Sequence, residues 1–304
     1  MLDPQPDFHP VIGTAETLSA GLRRILAPNP SPMTFRGTNT YVLGTTDLAV
    51  IDPGPDNSAH LTAILGAVQP GQRITHILVT HAHLDHSPLA PVLAAATGAK
   101  VYGYGRAEAG RSPMMQKLAA SGCVGGGEGV DTAFCPDIEM TDEQVVAAEG
   151  WSLTALHTPG HMSNHLSFAW GDTLFSGDLV MGWASSLVSP PDGDLGAFMA
   201  SLERLSHSTW SVFHAGHGAP VQSPNARLQD LIQHRRMREA AIISALGAAP
   251  SNAADLAVQI YTDTPKALLG AAARNVLAHL VDLTEKSKVE PLQTLSETAV
   301  FRII

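Results

Sequence analysis

The sequence predicts a layered α/β (α+β) sandwich followed by a small winged-helix-like domain. Two observations carry that prediction. Short β-rich runs alternate with amphipathic stretches up to about residue 225, and helical spacing takes over from about Leu228. A third observation, a histidine-rich turn directly after an apolar run, says where such a sandwich would place its chemistry.

Strands are expected at 40–44, 48–52, 76–80, 100–104, 144–149, 165–170 and 210–215, with a further short one, TLF, ahead of Ser176. Helices are expected at 57–68, 88–97 and 194–207. Between Gly105 and Asp142 the pattern breaks. The stretch SGCVGGGEGVD has no period and reads as a long loop, of the kind that serves as a lid or substrate loop. Beyond Leu228, helices are expected over 228–247 and 253–261. A third begins with Thr264 as N-cap and Pro265 at its first position. Its apolar stripe is Leu269, Ala272, Val276, Leu280 and Leu283. KVEPLQ and AVFRII then pair as a hairpin. Three helices and a β wing are the order of a winged helix-turn-helix, so domains are expected at 1–225 and 226–304.

Composition narrows the classes. Hydrophobic residues make up 44% and charged residues 15% of the 304, which excludes a disordered chain. No apolar run approaches the ~20 residues that span a bilayer. The opening MLDPQPDFHP has neither a basic nor an apolar signal region. A cytoplasmic protein without a membrane partner is expected. Cys123 and Cys135 make no disulfide framework and are expected to stay thiols. The formal net charge is -10, and all of it lies before Leu228, where 20 acidic residues face 10 basic ones; the tail has 8 of each. A polyanionic partner is therefore disfavoured.

The chemistry is concentrated in VTHAHLDHS, residues 79–87. His81, His83, Asp85 and His86 read as H-x-H-x-D-H. Imidazoles bind zinc, and a carboxylate adds charge compensation. His81 and His83, two apart, can face one point. Asp85 and His86, past the turn, can reach a second point a few ångströms away. Two metals about 3.5–4 Å apart are a hydrolytic arrangement. Further ligands must come from later strand ends, and HTPGH (157–161), SGD ending at Asp178 and AGHG around His217 supply candidates.

THAHLDHS, HTPGH, FSGD and AGHG together resemble the motif series of the metallo-β-lactamase superfamily. The resemblance implies an αββα sandwich with metals at the sheet edges. It assigns His81, His83 and His161 to one metal, Asp85, His86 and His217 to a second, and Asp178 to a bridge between them. It makes Asp52 of AVIDPG a supporting residue behind the ligands, and it leaves His157 outside the ligand set. NPSPMTFRGTNTYVLG (29–44) and the tail resemble a subgroup that carries a C-terminal winged helix. That subgroup includes an endoribonuclease acting on single-stranded RNA and thioesterases acting on carrier-bound polyketides.

The resemblance implies a dinuclear hydrolase whose bridging hydroxide attacks a carbonyl or phosphoryl centre. Two divalent ions are expected, zinc by default, with iron or manganese also suited to the ligand set. Asp85 would orient the nucleophile, His165 is the candidate proton donor to the leaving group, and Ser163 and Asn164 are placed to position substrate. A small or carrier-bound ester, thioester or lactone is the expected substrate. The alternative is single-strand-specific endoribonuclease activity, against which stand the charge balance and an aromatic content of 5%. A DNA-binding role for the winged helix is weaker still. Its reader helix has only Lys266, Arg274 and Lys286 against Asp282 and Glu285. The winged helix is expected to pack on the active-site face or on a second subunit, which makes a homodimer compatible. A mono-iron dioxygenase shares H-x-H-x-D-H but needs no second set of ligands.

Overall fold

Period-two alternation builds the layers. The computed structural model describes residues 3–304. Strands β1 (Glu16–Ser19), β2 (Leu22–Leu26), β3 (Asn39–Leu43), β4 (Asp47–Ile51), β5 (Arg73–Leu78), β6 (Lys100–Gly103) and β7 (Ile138–Glu139) form one sheet in that order. Strands β8 (Val145–Ala148), β9 (Trp151–His157), β10 (Leu166–Trp170), β11 (Thr173–Gly177) and β12 (Val212–Ala215) form a second, also in sequence order.

Tyr41, Leu43, Ala49 and Ile51 point from β3 and β4 into the core between the sheets, against Leu153, Phe168 and Phe175. The intervening Val42, Leu48 and Val50 point the other way, onto Ile64 of α1 (Ser58–Gly66) and Leu93 of α2 (Ala90–Thr97). The outer face of the second sheet, with Leu174 and Phe213, is covered by Phe198, Leu202 and Leu205 of the helix Leu195–Ser206. Helix, sheet, sheet and helix thus stack in the expected order. Each fully buried branched or aromatic side chain of these cores contributes about 1.5–3 kcal/mol.

The 105–142 stretch is more ordered than its glycines suggest. It contains α3 (Pro113–Ala120), capped by Ser112, as well as β7. Met115 and Leu118 of α3 are buried against the C-terminal helices, which is why the helix forms without a strong period of its own. Sequence reasoning also missed β2 and β9. In β2 the pair Arg23 and Arg24 reads as polar, yet both are buried, Arg23 by donating to Ala67 O. In β9, Ser152 and Thr154 dilute a regular alternation of buried Trp151, Leu153 and Ala155.

The helices of the second half are α4 (Leu195–Ser206), α5 (Pro224–Ala248), α6 (Ala253–Ile260) and α7 (Leu269–Glu285). Strands β13 (Ser251–Asn252), β14 (Val289–Pro291) and β15 (Val300–Ile303) form a three-stranded wing in the order β13-β15-β14. α5 belongs to two cores: Leu228, Leu231 and Ile232 pack under the second sheet, and Ile242 and Leu246 pack with the C-terminal helices. α7 starts later than expected. Thr264 does not cap it; a 3-10 turn at Lys266–Leu268 precedes it, and Pro265 is extended. No helix among the described residues is long and apolar enough to cross a membrane.

β4 and β5 run parallel, as do β11 and β12, so their C-terminal ends gather at one edge of the sandwich. Asn39 N–H donates to Gly216 O at 2.8 Å and Leu166 N–H to Thr80 O at 2.7 Å, tying the two sheets together at that edge.

Candidate metal centre

Every residue of the expected ligand set lies just past a strand end at this edge. His81, His83, Asp85 and His86 follow β5, His161 lies in the turn after β9, Asp178 follows β11 and His217 follows β12. All seven are buried. His81 Nε2 and His161 Nε2 each lie 3.0 Å from His83 Nδ1. His86 Nε2 lies 3.3 Å from His217 Nε2 and 3.3 Å from Asp85 Oδ2, which is 3.1 Å from His217 Nε2. Asp178 stands between the groups: Oδ2 is 3.6 Å from His161 Nε2 and 3.3 Å from His217 Nε2, and Oδ1 is 3.6 Å from His86 Nε2. Three sets of ligand atoms are close enough to hold an ion: His81, His83 and His161; Asp85, His86 and His217; and His81, His86 and Asp178.

The other ring nitrogen fixes the orientation of most of these histidines. His161 Nδ1–H donates to Leu187 O at 2.6 Å and His217 Nδ1–H to Gly37 O at 3.2 Å. His86 Nδ1–H donates to Asp52 Oδ2 at 2.9 Å. His81 Nδ1–H donates to Thr80 Oγ1 at 2.9 Å, and that hydroxyl in turn donates to Asp52 Oδ2 at 2.8 Å. Carbonyl and carboxylate oxygens only accept, so the protons of these rings point outward. Wherever a ring is neutral, its inward nitrogen lone pair is therefore left converging on the interior of the cluster. Asp178 Oδ1 is buried without a hydrogen-bond partner. That donor set fits a cation and little else.

Burial holds the first group neutral. It pushes His83 down to about 3, with His161 adding to the effect, and it lowers His81 and His161 in the same way. In the second group burial also opposes charge, but carboxylates outweigh it. Asp178 and Asp85 lift His217 to about 10, and Asp85, Asp178 and Asp52 hold His86 well above its ordinary value. Burial would raise Asp85 and Asp178; the facing His86 and His217 hold both well below the usual carboxylate range.

The structure corrects the expectation for His165. Its ring is fully buried, Nε2 accepts from Asp178 N–H at 3.2 Å, and Nδ1 faces Thr158 Oγ1 at 3.0 Å. Both nitrogens are occupied, and burial pushes the ring well below its ordinary value. It cannot deliver a proton to a leaving group. It positions the turn that carries Asp178. Gly177 makes this possible, since a Cβ there would lie 2.6 Å from His165 Nε2. Ser163 and Asn164 also serve structure. Ser163 donates to Ala107 O at 3.4 Å, and Asn164 to Gly105 O at 3.2 Å. His157 stays outside the cluster, stacked on Tyr104 at 3.8 Å. Gly216 lets the backbone lie against the cluster: a Cβ there would meet Asp178 Oδ1 at 2.3 Å.

Sequence reasoning missed Thr38, whose hydroxyl donates to Asp85 Oδ2 at 3.3 Å, and Asn39, whose amide donates to Ala215 O and Gly218 O at 3.1 and 2.9 Å. Their signal was the GTNTY stretch beside β3. A cleft of about 170 Å³ opens onto His83, Asp85, His161, Asp178 and His217. Its walls include Met33, Met181, Trp183, Leu187, Leu268 and Ala271, and no lysine or arginine lines it. The glycine-rich stretch (Gly127, Glu128), the 183–187 segment and the tail all contribute.

Residues 33–233 match the model of the metallo-beta-lactamase superfamily, and residues 253–294 match the beta-lactamase associated winged helix domain. The chain is 30% identical to the beta-lactamase-like protein 2 homolog of Drosophila melanogaster, over 94% of this chain and 96% of that one. It is 27% identical to an atrochrysone carboxyl ACP thioesterase of Claviceps purpurea, over 81% of this chain and 72% of that one. Its fold superposes on a beta-lactamase domain protein from Burkholderia ambifaria with a TM-score of 0.80 at 20% identity, covering 99% and 96% of the two chains.

Proposed function

The chain belongs to the metallo-beta-lactamase superfamily, and from that premise we propose a dinuclear metal-dependent hydrolase of a small or carrier-bound ester, thioester or lactone. The observation that carries this reading is the apolar cleft, free of lysine and arginine, above two adjoining groups of ligand atoms. The thioesterase among the relatives supports the acyl substrate. Cleavage of single-stranded RNA would call for cations along the cleft to meet phosphates.

In this reading His81, His83 and His161 hold one divalent cation, and Asp85, His86 and His217 hold the other. Asp178 faces both. Zinc suits the set best, and iron or manganese would also satisfy it. When bound, the ions supply a water acidified to near neutrality and an electrophile for the carbonyl oxygen. Asp85, braced by Thr38, orients the attacking water. Asp52 holds His86 in place. Met33, Met181, Trp183 and Leu187 receive the acyl portion and exclude bulk water. Residues 1–225 form the catalytic unit and 226–304 the winged-helix unit, which closes one wall of the cleft.

A panel of aryl esters, thioesters and lactones, run beside unstructured RNA and with an EDTA control, tests this. EDTA-sensitive turnover of acyl substrates with intact RNA is expected. RNA degradation abolished by His86→Ala would replace the acyl reading. Metal analysis showing a single ion per chain would sink the dinuclear one.

A further inference from the structure

The segment 186–190 is a strip of irregular backbone between β11 and α4, and it carries Leu187 O, the carbonyl that fixes His161 Nδ1 at 2.6 Å. Within its own unit the strip is anchored by Ser186 Oγ, which donates to Leu179 O at 3.0 Å, and by Gly193 N–H, which donates to Ser189 O at 2.9 Å. The C-terminal helices hold it from the other side. Asn275 Oδ1, on α7, accepts from Val188 N–H at 3.1 Å and from Arg235 Nη1 at 2.9 Å. Arg235, on α5 and only 2% exposed, also donates to Ser186 O. Arg274 Nε donates to Ser189 Oγ at 2.8 Å, and its guanidinium reaches Pro190 O. The residues on both sides of Leu187 are therefore gripped from α5 and α7. Asn275 is the joint, because its one oxygen serves both the strip and Arg235, while Nδ2 donates to Ala271 O at 3.3 Å within α7.

We infer that Asn275, with Arg235, is a positioning residue for the three-histidine group: the winged-helix unit sets the aim of His161 through the backbone of residues 186–190. This rests on the metal reading above. Partners behind a ligand histidine fix its ring orientation and basicity, and their loss typically costs 10–100-fold in metal affinity. Here the partner carbonyl is itself held by another unit. The second group has no such dependence. His217 and His86 are oriented by Gly37 O and Asp52, both from the first sheet's side of the sandwich.

The test uses full-length metal-free protein titrated with Co2+, followed by visible absorption and by competition with a chromophoric chelator. Asn275→Leu removes the acceptor, and Asn275→Asp keeps an oxygen for both donors. Both are measured in a His86→Ala background, which leaves only the three-histidine group intact, and in the otherwise unchanged chain. Asn275→Leu should weaken Co2+ binding about 10-fold or more in the His86→Ala background. Asn275→Asp should restore most of it. In the otherwise unchanged chain the second ion should bind within about twofold of the parent. Should Asn275→Leu not fold by circular dichroism, Asn275→Ala removes the same oxygen without the bulk and carries the same expectation. Unchanged affinity, equal loss at both ions, or an Asn275→Asp protein as weak as Asn275→Leu would overturn the inference. A parent chain that binds one Co2+ refutes the dinuclear reading instead and leaves the comparison in the His86→Ala background intact.

Discussion

The two halves of the cluster lie only ångströms apart, yet their electrostatics are opposite. His81, His83 and His161 face mostly one another, and burial keeps them neutral, with His83 down to about 3. His86 and His217 face Asp85 and Asp178, and His217 rises to about 10. One group is already deprotonated for a cation at neutral pH. The other stores protons that a cation must displace. The difference comes from where the carboxylates sit, since all five histidines are comparably buried.

Asp178→Ala is the harshest way to break the contrast, because Asp178 touches both groups. Activity should fall by more than the roughly 100-fold cost of losing a mere supporting partner. Metal content should drop for both sites, as read by elemental analysis. If only one ion is lost, Asp178 belongs to one group alone.

His83→Ala and His86→Ala should separate the groups. Each should leave about one ion, and activity should fall at least about 100-fold. Identical proton release on metal binding in the two variants, measured by calorimetry in buffers of different ionisation heat, would erase the contrast. Release should persist in His83→Ala and largely vanish in His86→Ala.

Asp52→Asn weakens the direct support of His86 and touches His81 only through the Thr80 hydroxyl. A roughly 10-fold loss of affinity is expected at the second group, with the first unchanged. Equal loss at both would mean that Thr80, which donates to Asp52 and holds His81, transmits the damage.

The gentlest probe is the stability of the metal-free protein against pH. His83 sits below its unfolded value of about 6.5, so the unfolded chain binds more protons there. Stability should fall as pH drops from about 6.5 toward about 3. His217 sits above it, so its contribution is complete below about 6.5 and is lost as pH rises toward about 10. Denaturant unfolding of His217→Gln should make the alkaline limb shallower, with His86 carrying what remains, and leave the acid limb sloping. A flat acid limb in the parent would contradict the neutral three-histidine group.

Much of this was legible in the chain. H-x-H-x-D-H, HTPGH, SGD and AGHG are local because each ligand cluster rides on one strand end, and a strand end is specified by its own few residues. The period-two strands and the apolar stripe of α7 were legible for the same reason. His165 was misread because four residues past His161 is a statement about sequence, and only packing shows that its ring points at Asp178 N–H. β2 was overlooked because Arg23 and Arg24 look solvated until their buried partners are known. α3 was hidden because its buried face packs on the C-terminal helices, far along the chain.

By itself, then, the sequence determined the donor atoms, the layers and the order of the two units, since each depends on neighbours within a few residues. The tertiary structure alone decided which protons point outward, which histidines carry charge and which distant helix holds Leu187 O. Those depend on burial and on partners up to 180 positions apart, as between His217 and Gly37, and no local pattern encodes them.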